Sequence, residues 1–180
     1  MRNSVRLLSA VALASCLAAG PAIGQIEAGD KSVNFQGLIQ SKTGTDKKET
    51  TVFALVGLNT FRTRNFAWRL QIGGLWGESE GENTGLPILG AGVEWDFNHP
   101  GAKTIPFLAL DALELVAPGS GTATIISPNA GFRSFVSRST SFDVNASFNT
   151  LIVGGEDGGS ISFIMLRLGF SYFLGKDARR

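Results

Sequence analysis

Residues 164–174 alternate in polarity. Ile164, Leu166, Leu168, Phe170, Tyr172 and Leu174 hold one set of positions; Met165, Arg167, Gly169, Ser171 and Phe173 hold the other. A period of two puts the sets on opposite faces of a strand. The same rhythm returns earlier. Ser32, Asn34, Gln36 and Gln40 oppose Val33, Phe35, Gly37 and Ile39. Phe66, Trp68, Leu70, Ile72, Gly74 and Trp76 oppose Asn65, Ala67, Arg69, Gln71 and Gly73. Leu89, Ala91, Val93, Trp95 and Phe97 oppose Gly90, Gly92, Glu94, Asp96 and Asn98. Ile126, Pro128, Ala130 and Phe132 oppose Ser127, Asn129, Gly131 and Arg133. Residues 139–149 set Thr140, Phe142, Val144, Ala146 and Phe148 against Ser139, Ser141, Asp143, Asn145, Ser147 and Asn149.

Two segments read less clearly. Residues 50–61 are apolar on both faces, so their orientation stays open. Residues 107–117 are rich in helix formers. We assign residues 104–116 to a strand, because an odd strand count would leave the chain ends on opposite sides. Pro128 cannot donate to a ladder and predicts a bulge or a local break.

Eight strands of about 11 residues suit a tilted membrane crossing. The connections expected at 41–49, 77–86 and 154–160 are long and polar, those at 62–65, 98–102 and 136–138 are short, and that at 117–122 is intermediate. Outer-membrane barrels have short periplasmic turns and longer outside loops. The reading is therefore all-β: an eight-stranded antiparallel up-and-down transmembrane β-barrel in the outer membrane, oily face outward, both termini periplasmic. On that topology Phe66, Trp68, Trp95, Phe97, Phe170 and Tyr172 fall at the inner interface, and Trp76 and Phe148 at the outer one. Leu70, Ile72, Val144 and Leu166 lie between, which is the girdle arrangement. After residue 24 no apolar run approaches the ~18 residues of a spanning helix, so membrane residence requires a closed barrel.

The 180 residues suffice for one domain. Arg2 and Arg6 precede an apolar run at 7–17, and Ala22 and Gly24 are small. We read 1–24 as a signal peptide and 25–180 as the barrel domain. Leu13 to Cys16 offers a rival, a lipobox that would lipidate Cys16, but the apolar run continues past it to Ile23. Cys16 is the only cysteine, so the mature chain has no disulfide framework. Sixteen basic and fifteen acidic residues give a net charge of +1 with no basic block. Nucleic-acid binding has no electrostatic support.

The alternation, girdles and loop asymmetry resemble the small eight-stranded outer-membrane barrel family, the OmpA- and OmpX-type barrels. Arg167, Gly169, Tyr172 and Leu174 look like that family's assembly signal; the resemblance implies reading by the outer-membrane assembly machinery. Many family members end at an aromatic residue, whereas this chain continues through residues 175–180.

The polar faces carry Arg69, Glu94, Asp96, Asp111, Arg133, Asp143 and Arg167. Buried charges must be paired. They can form a network that plugs the lumen or a selectivity lining for a small pore. Eight strands leave little bore, which favours the plug. Inward glycines at 73, 90, 92, 131 and 169 relieve crowding.

His99, the only histidine, lies beside Pro100 in an expected periplasmic turn. Some small outer-membrane barrels modify lipid A with a histidine-activated serine near the outer leaflet. His99 falls on the wrong side, so no enzyme is expected. Glu78, Glu80, Glu82, Glu156 and Asp157 lie in expected outside loops, as solvated charge or as divalent-cation contacts to lipopolysaccharide. Gly154, Gly155, Gly158 and Gly159 form no phosphate loop, because no Lys-Ser/Thr follows. We expect no cofactor and no metal, a monomer, and as partners membrane lipid, lipopolysaccharide and the assembly machinery.

The function expected is structural or surface-interacting. A small channel for ions or hydrophobic solutes is the alternative. A soluble lipocalin-like barrel would need every strand reversed, with the tryptophans filling the bore.

Overall fold

Backbone pairing follows the alternation throughout. The computed structural model describes residues 26–43, 48–79, 82–117, 121–154 and 158–174. The strands are β1 Lys31–Thr43, β2 Lys48–Phe61, β3 Phe66–Ser79, β4 Glu82–Asp96, β5 Thr104–Ala117, β6 Gly121–Phe135, β7 Thr140–Val153 and β8 Gly159–Leu174. Each pairs antiparallel with its sequence neighbour, and β8 returns to β1 to close the barrel.

The two less legible segments are both strands. In β2, Phe53, Leu55, Asn59 and Phe61 are buried inside, while Val56 and Leu58 are exposed outside. In β5, Ile105, Phe107, Asp111, Leu113 and Leu115 point inward, and Leu108 and Leu110 outward. Ladders to β4 and β6 override the helix propensity of this segment. Pro128 makes a break rather than a bulge. The β6–β7 ladder skips Ser127 and Pro128, then resumes at Asn129↔Ser147 in the same register.

The expected loop asymmetry is corrected. Strands run 13 to 16 residues, longer than a bare crossing requires. Much of two polar segments expected as loops is strand: β1 reaches Thr43 and β2 begins at Lys48, and Ser79 pairs with Glu82, whereas only residues 159–160 of the third belong to β8. The longest connection, residues 97–103, lies at the other end. Both alternating sets are polar in these stretches, so the sequence carries no polarity contrast although the pairing continues.

The lumen is also corrected. It is layered, not hydrophilic throughout. At the turn end Ile26, Phe61, Ala67, Ile105, Phe135 and Phe173 form an apolar floor. Phe173 lies 5.9 Å from Phe61 and 5.2 Å from Phe135 between ring centroids. At the loop end Phe53, Leu55, Ile88, Leu113, Leu115 and Ile125 form a second apolar layer. Charged and amide side chains fill the middle. The bore is narrow enough for side chains to pack across it, so apolar inward residues make a small core of their own.

The segment before β1 closes the floor. The Gly29 amide donates to the Phe61 carbonyl at 2.8 Å, and the Phe61 amide to the Asp30 carbonyl at 2.9 Å. Gly29 has a φ of 89°, a left-handed value that favours glycine. The Asn98 amide donates to the Ile26 carbonyl at 2.9 Å. These bonds hold Ile26 in the barrel end, fully buried.

Outside, Trp68, Trp76 and Trp95 are each about half exposed, with relative exposures of 50–52%. The lipocalin-like arrangement, with tryptophans inside, is therefore not the one adopted.

Candidate functional site: a charge network across the lumen

Successive inward positions deliver the charged residues. Arg69 comes from β3, Glu94 and Asp96 from β4, Asp111 from β5, Arg133 from β6, Asp143 from β7 and Arg167 from β8. All are almost fully buried.

Arg133 is the hub of a lower tier. Its Nη1 lies 3.0 Å from Glu94 Oε1 and 3.0 Å from Asp96 Oδ1, and its Nε lies 3.3 Å from Asp143 Oδ1. The guanidinium also sits 5.3 Å from the Phe107 ring centroid and 5.7 Å from that of Phe173. Asp143 gathers further donors: Ser141 at 3.0 Å, Asn34 at 2.9 Å and the Ser171 hydroxyl. Such bonds satisfy carboxylate lone pairs that burial would otherwise leave bare.

The upper tier centres on Asp111. Asn129 donates to its Oδ2 at 3.0 Å. Arg69 Nη1 approaches it at 3.6 Å and Arg167 Nη2 at 4.0 Å. Arg69 also reaches Glu94 at 3.5 Å, which joins the tiers. Arg167 Nε donates to Asn145 Oδ1 at 3.0 Å.

All seven charged positions singled out from the sequence lie in this network. Asn34, Asn129, Ser141 and Ser171 were legible only as polar inward residues, not as partners of particular carboxylates. Phe107 and Phe173 carried no signal, because an apolar residue at an inward position reads as a lapse in the pattern.

The outward residues divide in the same way. Trp68, Trp76, Trp95, Phe97, Phe148, Phe170 and Tyr172 are exposed, and Phe66 is half-buried against Trp68 at 5.5 Å. Of the assembly-signal-like residues, Arg167 points into the lumen, Tyr172 and Leu174 point outward, and Gly169 lies against β1. His99 is exposed in the β4–β5 connection, away from the network. Among the described residues no three potential metal ligands converge. Glu80, Glu156 and Asp157, and the side chains of Glu78 and Glu82, lie outside the described residues.

An exposed apolar wall around a charged interior is the arrangement of a transmembrane β-barrel. The chain has the fold of the eight-stranded outer-membrane barrels. It is similar to the N-terminal β-barrel domain of Pseudomonas aeruginosa OprF, with a TM-score of 0.54 at 14% identity over 82% of this chain and 98% of that one. It is also similar to Neisserial surface protein A, with a TM-score of 0.52 at 14% identity over 81% of this chain and 97% of that one. No protein-family model matches the sequence, and no curated protein matches it.

Proposed function

We propose that this chain is an integral outer-membrane barrel with a structural or surface-interaction role, without catalytic or channel activity. The observation that carries the proposal is the closed lumen. Arg133 and its three carboxylates span the bore above a floor of Ile26, Phe61, Phe135 and Phe173. An ion crossing it would have to displace paired charges and then pass packed aromatic rings.

The barrel lies in the outer membrane as a monomer with both chain ends periplasmic. Lipid surrounds the belt, and lipopolysaccharide meets its outer rim. The assembly machinery reads the final strand at Arg167, Gly169, Tyr172 and Leu174. The half-exposed tryptophans support the lipid contact, because indole rings favour membrane–water interfaces.

Two measurements test this. Gel mobility of boiled against unboiled protein from outer-membrane fractions is expected to shift; an unshifted band in the soluble fraction defeats the membrane assignment. In planar bilayers the protein is expected to be silent. A steady open level would favour the small channel.

A further inference from the structure

The outward wall is unevenly padded. Pro128 and Ala130 on β6 and Ala146 on β7 are small, exposed and adjacent, with Ala130 paired to Ala146. Around them stand Trp95, Leu108, Leu110, Phe148 and Ile164, each at least half exposed. Between small floor and large rim is an open groove of about 740 Å³, lined almost wholly by apolar atoms. It runs from Phe66 and Trp95 across β5, β6 and β7 to Ile164. Trp95 is the next-to-last residue of β4, whereas Ile164 lies deep within β8. The groove therefore starts at the turn end and climbs into the wall.

Charge distinguishes its two ends. Arg64 is exposed and is separated from Phe66 by Asn65 alone. With Ile26, Asn98 and Pro100 it lines a second pocket of about 240 Å³. The two adjoin, because the Asn65 amide donates to the Asp96 carbonyl at 2.6 Å, and Asp96 follows the groove-lining Trp95. Among the described residues no carboxylate pairs with Arg64; Glu27 and Asp30, the acids of this end, have partners of their own. Lys31, Arg62, Lys103 and Arg138 belong to the same end, so cations outnumber acids there among the described residues. The carboxylates of the charge network lie behind the wall, facing the lumen. At the other end, beyond Leu110 on the outward face of β5, comes Glu114, which accepts from Thr124 at 2.9 Å.

We propose that groove and pocket form one site for an anionic phospholipid such as phosphatidylglycerol. One acyl chain lies in the groove over Pro128, Ala130 and Ala146, and the phosphate meets Arg64 at its foot. A guanidinium suits the phosphate because it presents paired N–H groups to two oxygens. Glu114 disfavours the reverse placement, with the anionic head at the loop end. Trp95 and Phe66 stand at the depth where headgroup gives way to chain, which aromatic rings favour. The site goes beyond a general lipid belt and rests on the membrane reading.

The test folds the full barrel into phosphatidylcholine vesicles. These contain a small fraction of either phosphatidylglycerol or phosphatidylcholine with brominated acyl chains, which quench nearby indoles. Because Trp95 lines the groove, brominated phosphatidylglycerol is expected to quench at about fivefold lower fraction, the scale of one basic residue near a headgroup layer. High salt should erase the preference. Arg64→Gln should remove most of it, and Arg138→Gln, in the turn across the barrel end, should keep it. Ala146→Leu, which fills the groove, and Trp95→Phe should both remove the excess quenching. Heat-dependent gel mobility checks that each variant is folded, and the wild-type comparison and its salt dependence need no variant. Equal quenching by the two lipids overturns the proposal. A preference that survives in folded Arg64→Gln, or that Arg138→Gln abolishes as well, means a diffuse basic collar and overturns the assignment of the head. Excess quenching unchanged in Ala146→Leu overturns the placing of the chain. Cross-linked dimers that Ala146→Leu abolishes would give the groove to a second copy instead. A chain that fails to enter vesicles overturns the membrane reading and, with it, the site.

Discussion

Gly169 of β8 lies so close to β1 that a Cβ built on it would collide with the carbonyl oxygen of Phe35. The contact sits on the short β1–β8 seam, where Phe35 and Phe170 also stack outside at 4.8 Å between centroids. A side chain at 169 must push the two strands apart. Gly169→Ala should therefore destabilise the barrel by about 1–3 kcal/mol, the range for an overpacked site. Urea titration in pure lipid vesicles measures it. No assembly machinery is present there, so an unchanged midpoint would leave the glycine with a signalling role only.

Arg133 balances three buried carboxylates. Removing one partner of a buried ion pair costs about 3–5 kcal/mol, because the orphaned charge stays in the interior. Arg133→Met should lose stability on that scale in the same titration. Adding Asp96→Asn should recover part of the loss, since the double variant buries one fewer unpaired carboxylate. A loss below about 1 kcal/mol would mean that water already compensates the network.

Ile72 and Leu168 face outward, each more than half exposed. In lipid, Arg at such a site costs roughly 2–4 kcal/mol near the midplane. Ser141→Ala, inside the lumen, removes one hydrogen bond to Asp143 and should cost about 1 kcal/mol. Folding titrations into vesicles should rank Ile72→Arg and Leu168→Arg well above Ser141→Ala. The reverse order would mean that the outward face is not in hydrocarbon.

Pro128 interrupts the β6–β7 ladder without shifting its register, although it still pairs with Leu110 on β5. A residue with an N–H would restore a bond across the gap. Pro128→Val should stabilise the barrel by about 0.5–1.5 kcal/mol, the net worth of one hydrogen bond. A destabilised variant would show that the proline ring is held by its outward neighbours instead.

How far the sequence reveals this structure depends on contrast between faces. Residues 66–76, 89–97 and 139–149 were legible because one side of the ladder meets apolar surroundings and the other a polar interior. In β2 that contrast disappears, because Phe53 and Leu55 fill an apolar lumen layer while Val56 and Leu58 face outward. It also fails at the loop end, where the ladder reaches Ser79↔Glu82 with polar residues alone. The inward charges could be recognised one at a time. Their division into two tiers could not, because it depends on how far strand stagger brings Asp111 from Arg133. The short β1–β8 seam joins segments at opposite ends of the sequence, so no local pattern announces it.

That seam has a mechanical consequence. Tension applied across the cylinder would concentrate where the β1–β8 pairing stops, on Gly37 and Leu168, as load concentrates at the tip of a crack. The sheet would tear downward from there. The stacked Phe35 and Phe170 would part early, and the bonds from Asn34 to Ser171 and Asp143 would carry the load next.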